Sequence, residues 1–354
     1  MYSEIEQLLA QIHSETGETL VEHMHSKGQD VLTGVGPIDQ ALEELQAAEG
    51  KSSSESIIEL LGLPGSGKTQ TLYRICATIA MPRTVERHTD ATAPGATKAV
   101  NVGGYGLHVV FVDADGKLDV FLLRRYIYGL ASDAIRADSS LQLAEEEIDR
   151  LASDAVGGAL SRIHIFTPRT THSLVATLAL LPKYLAERSI AAPGALLIDG
   201  VGSNYWIDRR EGSLIRMQSR RATPWFRLQQ LFVDTLQQVQ RKLACLAVVA
   251  NVLILRRHSS AGNARRPQSP GAEGGQQRVV VAQQREYRDH MIPRWQNILA
   301  RSFVLEASAV VGRLGERLTA VAFTPAEGQQ QGQRQRQRQA VYIGDLGLRN
   351  AMSQ

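Results

Sequence analysis

The sequence predicts an α/β protein with a mostly parallel, twisted sheet, helices on both faces and an antiparallel C-terminal extension. Three observations carry this. Short apolar runs alternate with amphipathic helical patterns from residue 57 to about residue 250, a glycine-rich turn joins the first run to the first helix, and beyond residue 295 apolar runs continue without helices between them. Alternation at these lengths implies parallel βαβ units, whose strands are buried on both faces and read as continuous apolar runs.

Taken in order, the predicted strands of the parallel part are Ile57–Gly62, Leu107–Asp113, Arg162–Phe166, Ala195–Asp199 and Cys245–Asn251. The predicted helices lie at about 68–81, 118–136, 140–156, 171–188 and 223–242. Ala300–Glu306, Arg317–Thr324 and Ala340–Gly344 read as strands of the antiparallel extension. The opening stretch, MYSEIEQLLAQIHSE, reads as a short amphipathic helix and lacks the basic start and apolar centre of a signal peptide. We expect residues 1–50 to form a helical segment and the entry to the core, 51–325 the core itself, and 326–354 a low-complexity insertion with a closing strand. Residues 83–106, 258–278 and 326–339 carry too few apolar groups to offset the entropy of ordering, so we expect mobile loops there.

Composition narrows the function classes. The chain has 354 residues, 43% of them apolar, which is enough to bury a sizeable core. No apolar run reaches the roughly 18 residues of a membrane span. The longest, Leu243 to Leu255, is interrupted by Asn251 and fits a buried strand, so we expect no membrane. The two cysteines, Cys76 and Cys245, stand apart from each other and from any histidine cluster, which points to reduced, buried thiols rather than a zinc site. The net charge of +3 names no partner, but its distribution is uneven: the first 60 residues are acidic, and arginine concentrates beyond residue 200. Arginine matches phosphate as a planar fork, so nucleic acid is an allowed partner.

Residues 62–69 read GLPGSGKT, a GxxxxGKT loop between a strand and a helix. Both contexts that this motif requires are met. The loop backbone, from Gly62, Leu63, Pro64, Gly65, Ser66 and Gly67 to Gln70, is expected to turn its N–H groups toward phosphate oxygens at a helix N-terminus. Lys68 would supply charge to the outer phosphates of ATP, and the Thr69 hydroxyl would ligate magnesium. A second magnesium group is expected where a neighbouring strand ends in an acid, and ALLIDG places Asp199 there. FVDADG offers Asp113 and Asp115 at another strand end. We expect these two to face opposite sides of the sheet, so that only one meets the nucleotide. Ordinary solvated turn residues would also explain them.

VLTGVGPIDQAL (31–42), ELLGLPGSGKTQ (59–70), VVFVDADGKLDVFLLRRY (109–126), LLIDGVGSNYWIDRREG (196–212) and LAVVAN (246–251) resemble, in this order, the RecA-type eukaryotic recombinases. YWIDR (205–209), the short segment before the core, Trp295 ahead of the ARSFVLE strand and the YIGDLGL tail (342–348) resemble one recombinase paralogue in particular. The resemblance implies a RecA-like core and a nuclear role in homologous recombination repair. It implies a subunit of a hetero-oligomer with other recombinase paralogues, acting on single-stranded or branched DNA. It also implies that the loops after Asp199 and Asn251 meet DNA. The first holds Arg209, Arg210, Arg216, Arg220 and Arg221, with Tyr205 and Trp206 at its start; the second holds Arg256, Arg257, Arg265, Arg266 and Arg278. A solvated basic surface, or one that meets an acidic partner protein, is the alternative for both, and packing or partner contact, rather than base stacking, is the favoured role of Tyr205 and Trp206.

Two positions depart from the family. Where active recombinases carry a glutamate that polarises the attacking water, this chain has Asp115, shorter by one methylene. Where they carry a glutamine after the strand-ending asparagine, Asn251 is followed by Val252, which has no hydrogen-bonding group to offer a phosphate. We therefore expect weak or absent hydrolysis, with Asp115 the only candidate catalytic residue. The polymerising Phe-x-x-Ala segment has no clear counterpart either. A DNA-stimulated ATPase that exchanges strands itself, or an unrelated phosphate-loop kinase, are the competing readings.

Overall fold

The computed structural model describes residues 30–88, 97–138, 141, 143–190, 192–210, 224–255, 287–288, 291–311, 317–325, 339–344 and 347–350. The N-terminal amphipathic segment, the 258–278 loop and most of the Gln/Arg-rich tract lie outside these residues.

Helix α1 (Gly36–Glu49) leads into β1 (Ile57–Gly62), the phosphate-loop motif and α2 (Lys68–Ala80). A hairpin, β2 (Thr84–His88) and β3 (Thr97–Asn101), precedes β4 (Val109–Asp113), α3 (Val120–Ala137) and α4 (Glu145–Leu160). Then come β5 (Ile163–Phe166), α5 (Thr171–Ala186), β6 (Ala195–Asp199), α6 (Pro224–Leu243) and β7 (Leu246–Val252). The short pair β8 (Ile254–Leu255) and β9 (Tyr287–Arg288) is followed by α7 (Pro293–Ile298), β10 (Arg301–Val311), β11 (Arg317–Pro325), β12 (Gln339–Gly344) and β13 (Gly347–Asn350). The predicted elements of the parallel part all occur, with ends shifted by a few residues, as expected where ends fray.

One nine-stranded sheet runs β13-β12-β11-β10-β1-β7-β6-β4-β5. From β10 to β5 every pairing is parallel, and β11, β12 and β13 extend the sheet antiparallel. This is the α/β architecture of a RecA-like core with an antiparallel extension, as the sequence predicts. The chain leaves β1 for β4, three strand positions away, and later returns through β6 and β7 to its side. Such a switch opens a crevice at the carboxyl ends of the strands, where ligands of open α/β sheets bind.

Alternation along each strand sends side chains to two cores. Ile58, Leu60, Phe111, Leu197 and Val248 face α2 and α3 in one cluster. Ile57, Val110, Ile198 and Val249 face α5, α6 and α7 in the other. Cys76 and Cys245 are free and buried, one on each side, and burial pushes both thiols up toward the inert, protonated form.

Two features depart from the sequence reading. Within the stretch 83–106, expected to be an irregular loop, residues 84–88 and 97–101 pair as β2 and β3, from Thr84↔Asn101 to His88↔Thr97. Its few apolar groups, Val85, Val100 and Val102, pack with Leu151 and Ala155 in a third, small cluster. A bidentate contact from Arg87 to Glu147, at 2.7 and 3.1 Å, pins the hairpin to α4. The strands owe their place to these contacts, which no local pattern encodes. The second feature is α1. Its apolar positions Ile38, Ala41, Leu42 and Leu45 follow helical spacing, Pro37 stands in its first turn and Gly50 closes it at φ +65°.

Candidate nucleotide-binding site

The GLPGSGKT segment turns sharply between β1 and α2. A Cβ at Gly62 would meet Ser66 Oγ at 2.2 Å and the Leu305 carbonyl at 2.9 Å, so only glycine fits. Gly67, the residue before α2, has φ +91°, a conformation that favours glycine. The turn is closed by Ser66 N–H donating to the Leu63 carbonyl at 3.1 Å. Thr71 N–H and its hydroxyl donate to the Gly67 carbonyl, at 2.8 and 3.0 Å. α2 begins directly after the loop, so the free N–H groups of its first turn and its positive dipole end lie beside the loop.

Lys68 lies over the loop, donating from Nζ to the carbonyls of Gly62 and Leu63, both at 2.9 Å, and to Ser66 Oγ at 3.3 Å. Burial depresses its ammonium to about 8, against the opposing pull of Asp199 and Asp115. Thr69 Oγ1 donates to Asp199 Oδ2 at 2.7 Å, across 130 residues of chain. The two groups that sequence reasoning named for magnesium are thus in contact. Asp199 faces α2 because it falls on the same side of β6 as Leu197 and Ala195. Burial raises its carboxyl; the Thr69 hydrogen bond opposes this, and Asp113 and Asp115 add to the rise.

A hydroxyl and a carboxylate suit a hard cation that takes oxygen ligands. Among the described residues no group of three His, Cys, Asp or Glu side chains gathers to hold a metal alone. A magnesium here would complete its shell with phosphate oxygens and water, as magnesium in phosphate-loop sites does.

Asp113 and Asp115 do not separate as expected. Residues two apart share a side in a strand, and Asp115 lies beyond the end of β4. Both raise the Asp199 carboxyl by their charge. Asp113 is committed to its own turn: it accepts from the N–H groups of Gly116 at 2.7 Å, Lys117 at 3.2 Å and Leu118 at 3.0 Å. Asp115 packs beside Gly200, where an added Cβ would come within 2.7 Å of its own, and its Oδ2 accepts from Lys117 Nζ at 2.6 Å.

Val252 pairs with Gly62 across the β1–β7 ladder, so its apolar side chain stands level with the start of the phosphate loop. Asn251 turns away to a buried carboxylate, Glu59, at 2.9 Å. Glu59 also accepts from Trp295 Nε1 at 2.7 Å and Ser302 Oγ at 3.0 Å. The sequence reading passed over this cluster. Its only local signal is a charged residue within the otherwise apolar strand IIELLG.

Of the arginines named for DNA, Arg209 and Arg210 lie in a helical stretch, 205–210, after β6. Arg209 donates to Tyr205 OH at 2.8 Å, and Arg210 is exposed. Arg216, Arg220, Arg221, Arg256, Arg257, Arg265, Arg266 and Arg278 lie outside the described residues. Tyr205 is buried and packs edge-on against Trp206 and Trp225, with ring centroids 4.9 and 6.2 Å apart. Trp206 and its neighbour Ile207 are 61% and 56% exposed.

No protein-family model matches the chain. The chain is similar to a mouse protein named DNA repair protein XRCC2, 24% identical over 181 residues, which are 51% of this chain and 52% of that protein. It is also similar to the XRCC2 homolog of Arabidopsis thaliana, 20% identical over 270 residues, 72% of this chain and 69% of that protein. The match thus spans about half the length of the mouse protein. Both carry the name of the recombinase paralogue that the sequence motifs resemble.

Proposed function

We propose that this chain is an ATP-binding recombinase paralogue of recombination repair, which binds nucleotide and hydrolyses it weakly or not at all. In this reading it serves in the nucleus as a subunit of a mediator complex with other recombinase paralogues, on single-stranded or branched DNA. The names of its relatives support a role in DNA repair. No helix among the described residues is long and apolar enough to cross a membrane.

The observation that carries the nucleotide reading is the 2.7 Å contact of Thr69 with Asp199 beside a buried, desolvated Lys68. When bound, magnesium would neutralise phosphate charge between Thr69 and Asp199. Lys68 would exchange its bonds to loop carbonyls for bonds to phosphate oxygens, and the N–H groups of the loop and of the first turn of α2 would take up the rest. Among the described residues nothing comparable waits for the water. The Asp115 carboxylate is held by Lys117 at 2.6 Å, and the position beside Gly62 is a valine.

ATP turnover with and without single-stranded DNA tests this. We expect tight binding and little turnover in both; robust DNA-stimulated turnover that Lys68→Ala abolishes would favour a strand-exchanging ATPase instead. Replacing Arg220 and Arg221 by alanine should weaken DNA retention and flatten its salt dependence, because each phosphate contact releases counterions.

A further inference from the structure

We propose that Glu59 is a positioning residue of the phosphate loop, acting through Asn251 on the end of β7. This rests on the nucleotide reading of residues 62–69 and specifies what holds them in shape.

Glu59 is fully buried in β1, on the side of the sheet that faces α6 and α7. A strand covered on both faces is ordinarily apolar throughout, and a carboxylate there is tolerated only when well paired. Its Oε1 accepts from Asn251 Nδ2 at 2.9 Å and Trp295 Nε1 at 2.7 Å, and its Oε2 accepts from Ser302 Oγ at 3.0 Å. These donors come from β7, α7 and β10, which are both strand neighbours of β1 and the helix beside them. Packing alone would be served as well by an apolar side chain of this volume. What the polar knot adds is a fixed relation among these elements.

The knot leads directly to the candidate site. Asn251 pairs beside Leu61 and Val252 beside Gly62. Leu253 N–H donates to the Gly62 carbonyl at 3.2 Å, and that same carbonyl accepts from Lys68 Nζ at 2.9 Å. The Ala250 carbonyl accepts from Gly200 and Val201, at 3.1 and 3.2 Å, in the turn just after Asp199. Residues 250–253 therefore touch the phosphate loop and the turn behind the acid at once. Asn251 is anchored at both ends of its amide: Nδ2 to Glu59, and Oδ1 by accepting from Val252 N–H at 2.9 Å. Ser302 pairs level with Glu59, three residues short of Gly62, so its bond braces β10 rather than the loop.

This asymmetry supplies the test. Asn251→Ala and Ser302→Ala each remove one hydrogen bond to the same buried carboxylate, and both should lower the melting temperature. A fluorescent ATP analogue with magnesium, titrated into the full-length chain well below its melting temperature, reads the site. We expect Asn251→Ala to weaken binding about tenfold and Ser302→Ala by no more than about twofold. Glu59→Gln should retain affinity, since its amide oxygen still accepts from Asn251 and Trp295 while its NH2 donates to the Ser302 hydroxyl. Should Asn251→Ala fail to fold, Asn251→Ser makes the same test with a group too short to span the gap. Equal losses for the two variants, or no loss in a folded Asn251 variant, would overturn the proposal. A wild-type chain that binds no nucleotide would instead remove the site reading on which it rests.

Discussion

The two halves of the crevice differ in how much of their chemistry is in place. On the α2 side, the loop carbonyls hold the depressed ammonium of Lys68, and Thr69, the next residue, meets Asp199. On the β4–β7 side, Asp113 is spent on its own turn, Asp115 is held by an exposed lysine, and Val252 presents methyl groups. Gripping and hydrolysing a nucleotide are separable tasks, and a chain can keep the geometry of one without the groups of the other. In the proposed reading nucleotide would serve to set shape and partner contacts rather than to release energy.

The difference can be broken most forcefully from the gripping side. Lys68→Ala removes a buried cation meant for phosphate, and we expect ATP affinity to fall on the order of 100-fold or more, by calorimetric titration. Unchanged affinity would mean that the loop no longer binds nucleotide. Asp199→Asn should keep the shape of the contact but forfeit a charge on the metal. About tenfold weaker binding in magnesium, with a smaller change in EDTA, is the expected signature.

Acidity probes the same half. In the proposed reading Lys68 would grip phosphate as an ammonium, and its proton is lost in the free protein as the pH rises through about 8. The bound polyanion favours the charged form, so binding takes up a proton above that pH. Affinity should fall about tenfold between pH 7 and pH 9, and Lys68→Arg, charged throughout this range, should flatten the profile. Below neutrality the sign reverses at Asp199: its carboxyl titrates above the ordinary aspartate range and must be ionised to hold the metal, so magnesium-dependent affinity should decline again as the pH drops through that raised value.

The smallest effect is expected on the other half, and it sharpens the comparison most. Asp115→Glu combined with Val252→Gln restores the longer acid and a hydrogen-bonding group beside Gly62. We expect turnover to rise a few-fold, short of the roughly 100-fold that correct placement of a reacting group to within 1 Å can bring, because Lys117 still competes for the acid. A rise of 100-fold in single-turnover phosphate release would show that these two positions alone held hydrolysis back.

Much of this was legible in residue order. GxxxxGKT between a strand and a helix named the loop, and ALLID named the acid, because both depend on local chemistry and on where a strand ends. The β2–β3 hairpin was not legible: it has too few apolar residues to declare itself, and it is held by Arg87 on Glu147 and by a small core shared with α4. The facing of Asp113 and Asp115 was misread, because residues two apart share a side of a strand and Asp115 already lies in the turn beyond β4. Glu59 escaped because its partners lie 192, 236 and 243 residues away, beyond the reach of any periodicity.

By itself, then, the sequence determined the α/β alternation, the phosphate loop and the family likeness, since each rests on residue types at fixed local spacing. Only the tertiary structure decided which acids meet Thr69, which are spent on turns and what locks β7 against the loop. Those are relations between strands distant in the chain, and they exist only once the sheet has set its order and register.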